Sequence, residues 1–336
     1  MVTIIDVARA AGVAPSTVSY VLNGKRPISA DTRRQVEQCI RRLGYRPLNR
    51  RTATPRVRTN VLGLLAPGGS MPAMAEFVSA AMTAAGGREQ DLLLLTHDSG
   101  LAGLRRAMST AVADALIVLD APGSDPMMPA LMALDRPVVM VGTPDRSTNL
   151  ACVDLDYGVA ASRAAGHLVS LGHRAVAVLG STRVQDAGAC GYPRRFTRAF
   201  QAAAEKRGLR VRRQPCACSH EAVRHCLDEL FAEDPAITGL VVESELVLAA
   251  VLQHLGRRVP TDVSVIAVCR DDVAERSPVR VTSVPVPAAQ LGGLAVDMAL
   301  RQFDNDEVPA VRLLTPALTI RESTAPTPVA LSGTLC

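Results

Sequence analysis

Thr3-Ile4-Ile5-Asp6-Val7-Ala8-Arg9-Ala10-Ala11-Gly12-Val13-Ala14-Pro15-Ser16-Thr17-Val18-Ser19-Tyr20-Val21-Leu22-Asn23-Gly24 reads as two short helices joined by a tight turn. Thr3 caps the first helix, and Asp6 supports its positive end. Ile4, Val7, Ala8 and Ala11 recur at helical spacing. Gly12 permits the turn, and Pro15 suits the first turn of the next helix. Val18, Val21 and Leu22 form a buried stripe there. Ser16, Thr17, Ser19 and Tyr20 are left facing outward, and their hydroxyls suit base edges and phosphates. Asn23-Gly24 closes the second helix. A third starts at Ser29 or Asp31 and runs from Thr32 to Leu43, with Gly44 as its stop. Val36, Ile40 and Leu43 complete a small core. The expectation is a helix-turn-helix, whose second helix lies in the major groove of DNA.

Charge supports that reading. Residues 1–60 hold 12 Lys+Arg against 3 Asp+Glu, a net of +9, whereas the whole chain is +5. The remainder is therefore net negative. Such asymmetry is the electrostatic footprint of a nucleic-acid-binding segment on an ordinary domain.

Ile4-x-Asp6-Val7-Ala8-x-x-Ala11-Gly12-Val13, Ser16-Thr17-Val18-Ser19 and Val21-Leu22-Asn23-Gly24 resemble the start of the LacI/GalR family of bacterial transcriptional regulators. Thr32-Arg33 and Leu43-Gly44-Tyr45-Arg46-Pro47 extend the likeness. The resemblance implies a dimeric repressor that binds a near-palindromic DNA operator and answers a small-molecule effector. It puts Pro15, Ser16 and Tyr20 where the family reads bases. Tyr20 stands where a basic or strongly polar residue is common, so the family's operator preferences do not carry over. Thr3, Thr17, Ser19, Asn23, Lys25, Arg50 and Arg51 join them as candidate DNA contacts.

The linker departs from the resembled pattern. The family places an Ala four residues and a Leu seven residues beyond the proline, on a hinge helix whose paired leucines wedge into the minor groove. Here those places hold Arg51 and Thr54, with Pro55 next. A proline inside a helix costs about 3 kcal/mol. Arg46, Arg50, Arg51, Arg56 and Arg58 suggest a mobile basic linker that holds phosphates or follows the minor groove. A solvated tether is the alternative.

Residues 61–326 are too many for one doubly wound lobe and suit two. With 48% hydrophobic residues, no Trp and 3% aromatics, the cores must be built from Val, Leu and Ala. Short apolar runs alternate with helical patterns, the signature of a parallel sheet with crossover helices. Expected strands of the first lobe are 61–66, 92–96, 115–119 and 138–142, with helices near 74–86, 101–113 and 128–134. The second set has strands at 175–180, 209–212, 239–243 and 263–268. Its helices are near 157–171, 194–207, 220–232, 245–255 and 288–303. The ligand cleft should lie between the lobes, at the carboxyl ends of the strands. The fold class is thus α/β, an N-terminal helix-turn-helix head followed by a two-lobed doubly wound sensor. The expected boundaries are a head at 1–46, a basic linker at 47–60, the effector-binding and dimerisation domain at 61–326, and a disordered tail at 327–336.

The likeness continues through Val153-Asp154-x-Asp156-Tyr157-Gly158, Ala164-x-x-His167-Leu168-x-x-Leu171-Gly172-His173-Arg174, Pro260-x-Asp262-Val263-Ser264-Val265-Ile266 and Arg321-Glu322-Ser323-Thr324. It implies the two-lobed fold of periplasmic sugar-binding proteins. The family sets around its sugar an Arg from an Arg-x-x-Gly-Phe stretch, an Asn-Asp pair and an Asp after a strand. Here these read Tyr192-Pro193-Arg194-Arg195-Phe196, Ser244-Glu245 and Cys269-Arg270-Asp271. Either Cys269 replaces the last acid, or an insertion moves Asp271 into its place. Asp98, Tyr192, Arg194, Glu243, Ser244, Glu245, Arg270 and Asp271 are the candidate effector contacts. These departures keep open a second reading, a DNA-binding regulator whose sensor is vestigial or controlled by a protein.

Other chemistry has little support. Cys216-Ala217-Cys218-Ser219-His220 with His225-Cys226 fits no common zinc spacing. No GxGxxG, GxSxG or GxxxxGK[ST] occurs, and His97-Asp98 alone makes no catalytic site. No enzyme, cofactor or metal is expected. No apolar run is long enough to span a membrane, and no signal peptide is evident, so a cytoplasmic protein is expected.

Overall fold

The computed structural model describes residues 4–15, 17–18, 21, 28–43, 58–66, 72–96, 113–119, 127–144, 148–181, 191–304, 306 and 308–327. The chain divides into a unit at 1–57 and a unit at 58–336.

In the first unit, α1 (Ile4–Ala10) and α2 (Ala30–Leu43) flank a segment in which Pro15, Thr17, Val18 and Val21 are helical. Gly12 turns the chain with φ +61°, a conformation that favours glycine. Val7, Ala8, Ala11, Val18, Val36 and Cys39 form the core, with Val13 and Val21 packed on it. Ser29 is the start signal for α2, because its Oγ accepts from the Thr32 N–H at 3.2 Å. Cys39 fills a core place that the sequence pattern had not assigned.

The second unit contains two parallel sheets. The first lobe is built from β1 (Val61–Ala66), β2 (Asp91–Thr96), β3 (Ala115–Leu119), β4 (Val138–Val141), β5 (Ala151–Leu155) and β11 (Val311–Leu314), in the order β11-β5-β4-β3-β1-β2. The second uses β6 (Ala175–Ser181), β7 (Arg210–Cys216), β8 (Gly239–Val242), β9 (Ser264–Cys269) and β10 (Thr282–Pro285), in the order β10-β9-β8-β6-β7. The first lobe carries α3 (Pro72–Gly86), α4 (Met128–Met132) and α10 (Ala288–Phe303). The second carries α5 (Tyr157–Ser170), α6 (Gly191–Glu205), α7 (His220–Glu233), α8 (Glu245–Leu255) and α9 (Asp271–Arg276). Residues 101–112, expected to be helical, lie outside the described residues.

The chain passes between the lobes after β5, after β10 and after β11. The last passage docks on the second lobe. There Thr319 bridges Ser283, the fully buried Ser323 Oγ donates to the Val265 carbonyl at 2.6 Å, and the Thr327 N–H donates to the Leu171 carbonyl at 2.9 Å. These bonds explain why polar Arg321-Glu322-Ser323-Thr324 ends the sensor. Ser323 is sealed against the second lobe while Glu322 stays exposed, and buried polar groups must be paired.

The helix α10 packs directly on α3. A Cβ on Gly292 would stand 2.8 Å from the Phe77 carbonyl oxygen and 3.2 Å from the Ala81 nitrogen, both backbone atoms. Gly292→Ala should therefore force the helices apart and cost about 2 kcal/mol. Gly293→Ala meets nothing within 4 Å and should be neutral or stabilising by up to about 1 kcal/mol. Urea midpoints of the two variants check the contrast.

His173 is a satisfied core histidine. Its Nδ1 lies 2.8 Å from Thr238 Oγ1 and its Nε2 lies 3.0 Å from Ser264 Oγ. Burial pushes its pKa down to about 4. Above the ordinary value of 6.5, the imidazole is neutral in folded and unfolded chains alike and pH has no effect through it. Below that value the unfolded chain takes up a proton that the folded chain refuses. Stability through this group should fall by about 2 kcal/mol between pH 7 and pH 5, and stop falling near pH 4. Urea unfolding at the two pH values measures the loss, and His173→Asn should flatten it.

Candidate functional site

The head presents the DNA candidates only in part. Pro15 is exposed and Thr17 is half-buried on the second helical segment. Val18, fully buried, fixes which face of that segment turns inward. The Thr17 N–H donates to the Ala14 carbonyl at 2.9 Å, so the helix begins at the proline as its chemistry demands. Thr3, Ser16, Ser19, Tyr20, Asn23, Lys25, Arg50 and Arg51 lie outside the described residues. So does the linker to residue 57, but its last arginine is placed. Arg58 pairs with Asp304 at the end of α10, and its guanidinium lies 5.1 Å above the Phe303 ring. The next two backbone N–H groups, of Thr59 and Asn60, donate to the Asp114 carboxylate at 3.0 Å. The root of the sensor is thus held by an ion pair, a cation–π contact and a buried carboxylate.

At the cleft, the strand ends of the second lobe gather acids and arginines. Ser244 is buried and starts α8. Glu245 begins that helix. Its Oε2 accepts the Arg270 backbone N–H at 2.9 Å, and its Oε1 accepts from Arg270 Nε and Nη2 at 3.2 Å each. Two of the sequence candidates are therefore each other's partners. Asp271 opens α9 and pairs with Arg321 at 2.6 Å. Arg321 also reaches Glu275 at 2.8 Å and the Ser283 Oγ at 2.8 Å. Arg194 is exposed on the first turn of α6, and Tyr192 is two residues into that helix. Asp98 lies outside the described residues. Cys269 is the last residue of β9 and is buried, and burial pushes its thiol up to about 12.

Glu243 is held differently. It follows β8, is buried, and accepts a hydrogen bond from Thr197 of α6. Its carboxylate lies against Gly180 so closely that a Cβ there would run into it. Burial pushes its pKa up.

The residues the sequence reading missed are Arg195, Asp154 and Thr197. Arg195 Nε lies 3.1 Å from Asp154 Oδ2 and its guanidinium 5.4 Å over the Tyr157 ring. The available signal was an arginine at the glycine of the Arg-x-x-Gly-Phe stretch. Among the described residues, no group of three or more His, Cys, Asp and Glu side chains is arranged to hold a metal ion. No described helix is long and apolar enough to cross a membrane.

A helix-turn-helix head on a two-lobed parallel-sheet sensor defines a DNA-binding transcriptional regulator with an effector-binding domain. Residues 3–48 match the family of bacterial regulatory proteins of the lacI type, and residues 165–324 match the periplasmic binding protein-like domain. The chain thus pairs a head of the lacI type with a periplasmic binding protein-like domain, and its relatives are bacterial transcriptional regulators. It is 25% identical over 317 residues to the catabolite control protein A of Priestia megaterium, covering 91% of this chain and 94% of that relative. It is 28% identical over 335 residues to the transcriptional regulator CelR of Thermobifida fusca, covering 94% and 96%. Among solved structures, a CelR–cellobiose complex superposes with a TM-score of 0.66 at 25% identity, over 96% of this chain and all of that one. The lac repressor dimer bound to operator and the anti-inducer ONPF gives a TM-score of 0.68 at 20% identity, over 96% and 99%.

Proposed function

We propose that the protein is a cytoplasmic, non-enzymatic repressor that binds a near-palindromic operator as a homodimer and releases or grips it in response to a small molecule. The observation that carries this reading is the head. Val18 is buried against Val7, Ala8 and Val36, while Pro15 is exposed and Thr17 half-buried beside it. Residues 1–46 are the reader, 47–60 the basic linker, 61–326 the effector-binding and dimerisation domain and 327–336 a tail. Thr3, Pro15, Ser16, Thr17, Ser19, Tyr20, Asn23 and Lys25 contact the operator, with Arg50 and Arg51 on phosphates.

A homodimer is supported by exposed apolar surface on the first lobe. Met82 of α3 and Leu94 of the edge strand β2 are each more than half exposed. A partner subunit would cover side chains of this kind, and two-fold symmetry would bring the same surface from each subunit together.

The effector lies between the lobes, against Asp98, Tyr192, Arg194, Ser244, Glu245, Arg270 and Asp271. The CelR neighbour was solved with cellobiose, so a saccharide is the first class to test. One observation favours the second reading, a sensor without a small molecule. Glu245 and Arg270 already neutralise each other. Calorimetric titration of the full chain with mono- and disaccharides, nucleosides and central metabolites separates the two. A saturable ligand that shifts operator affinity supports the effector-controlled reading. Unchanged operator affinity across all classes favours the alternative.

A further inference from the structure

We propose that Arg195 and Asp154 form a clasp that holds the two lobes together before any effector binds. The two residues come from different lobes. Asp154 is the fourth residue of β5 in the first sheet, and Arg195 is the fifth residue of α6, which packs on the second. Arg195 Nε is 3.1 Å from Asp154 Oδ2, and its Nη1 donates to the Thr143 carbonyl at 3.4 Å. Asp154 is aimed by its own lobe, since the Thr143 N–H donates to Oδ2 and the Leu155 N–H to Oδ1, both at 2.8 Å. Tyr157, the first residue of the crossover helix α5, lies under the guanidinium at 5.4 Å.

The two side chains are 18% and 5% exposed. An ion pair so sheltered escapes the screening that makes surface pairs weak. Separating the lobes at this point would break the pair, whereas Tyr157 and Arg195 both belong to the second lobe and the cation–π contact between them holds the guanidinium in place for Asp154. The clasp also sits beside the first passage between the lobes, at Asp156, so it sets the angle at which they meet. In the resembled family a glycine stands at position 195, and glycine has no side chain to span the gap. Arg195 therefore supplies from this chain's own residues a contact across the lobes. An effector adds to closure that is already present.

The proposal rests on the reading of residues 61–326 as a lobe-closing sensor, but its test needs neither ligand nor DNA. The full chain and its Arg195→Met, Asp154→Asn and doubly substituted forms are compared by solution X-ray scattering and amide hydrogen exchange. Each single substitution should enlarge the radius of gyration and speed exchange in the first turn of α6 and at Asp156–Tyr157 by about tenfold, and the double variant should open no further than either single. Exchange in β8 should stay as in the unsubstituted chain, which marks the fold as intact. Unchanged scattering in both single variants, or effects that simply add in the double, would overturn the clasp. Failure here leaves the effector-controlled reading standing, because ligand titration tests that separately.

Discussion

Raising salt from 50 to 200 mM should weaken the full chain's hold on its operator by about 10³- to 10⁵-fold, as expected when about six to ten phosphates are neutralised. The cause is visible in the first 60 residues, where 12 Lys+Arg face 3 Asp+Glu. Two of those acids are already engaged within the head. Asp6 lies 3.6 Å from Arg9, and Asp31 lies 2.7 Å from Arg34. Both pairs are exposed and weak, so they do not cancel the arginines' attraction for phosphate. In the proposed homodimer, two copies of the head would double the number of cations. Fluorescence anisotropy over a salt series gives the slope of log affinity against log salt. A slope shallower than about −3 would mean that fewer than about four phosphates are met, and the basic segment would then not be the source of affinity.

Phe196→Ala should cost the sensor about 3–5 kcal/mol. Phe196 is fully buried and stacks on Phe200 with ring centroids 5.9 Å apart. Large aromatic side chains are scarce, because the chain has no Trp and only 3% aromatics. Around the pair stand alanines and Leu168 of α5, Leu209, and Val176, Val178, Val241, Ile266 and Val268 of β6, β8 and β9, and a core packed at crystal-like density does not swell to fill the cavity. Phe196 also stands between Arg195 and Thr197, which pair with Asp154 and Glu243 respectively. Its loss should loosen both contacts. Urea unfolding followed by circular dichroism measures the cost. A loss below about 1 kcal/mol would show that the site collapses freely.

The architecture was legible where apolar runs were continuous. Strands such as Leu116–Val118, Leu240–Val242 and Val265–Val268 are buried on both faces, and a parallel sheet covered by helices demands such runs. The strands left unassigned lack that signal. β5 interrupts Ala151–Leu155 with an aspartate, β10 joins Thr282 and Ser283 to a proline, and β11 is an edge strand with three of its four residues exposed. Each lies at a passage between the lobes, where polar side chains serve the seam.

The cleft was legible as a place and less so as a set of contacts. Strand ends pointed to Ser244, Glu245, Arg270 and Asp271. Spacing could not tell that Glu245 closes on Arg270, or that Asp271 turns to Arg321 across 50 residues of sequence. Arg195 and Asp154 are separated by an entire helix and strand, and only the folded lobes bring them together. Long-range ion pairs leave no periodic trace in a sequence.

The central claim is that the amino-terminal helices read a specific duplex as a two-fold pair. Selection of bound sequences from a random double-stranded DNA pool with the full chain tests it most directly. The account predicts enrichment of one inverted repeat whose half-sites lie about one helical turn apart, or a multiple of that distance. Retention of all duplexes alike, with no sequence enriched after repeated rounds, would contradict it.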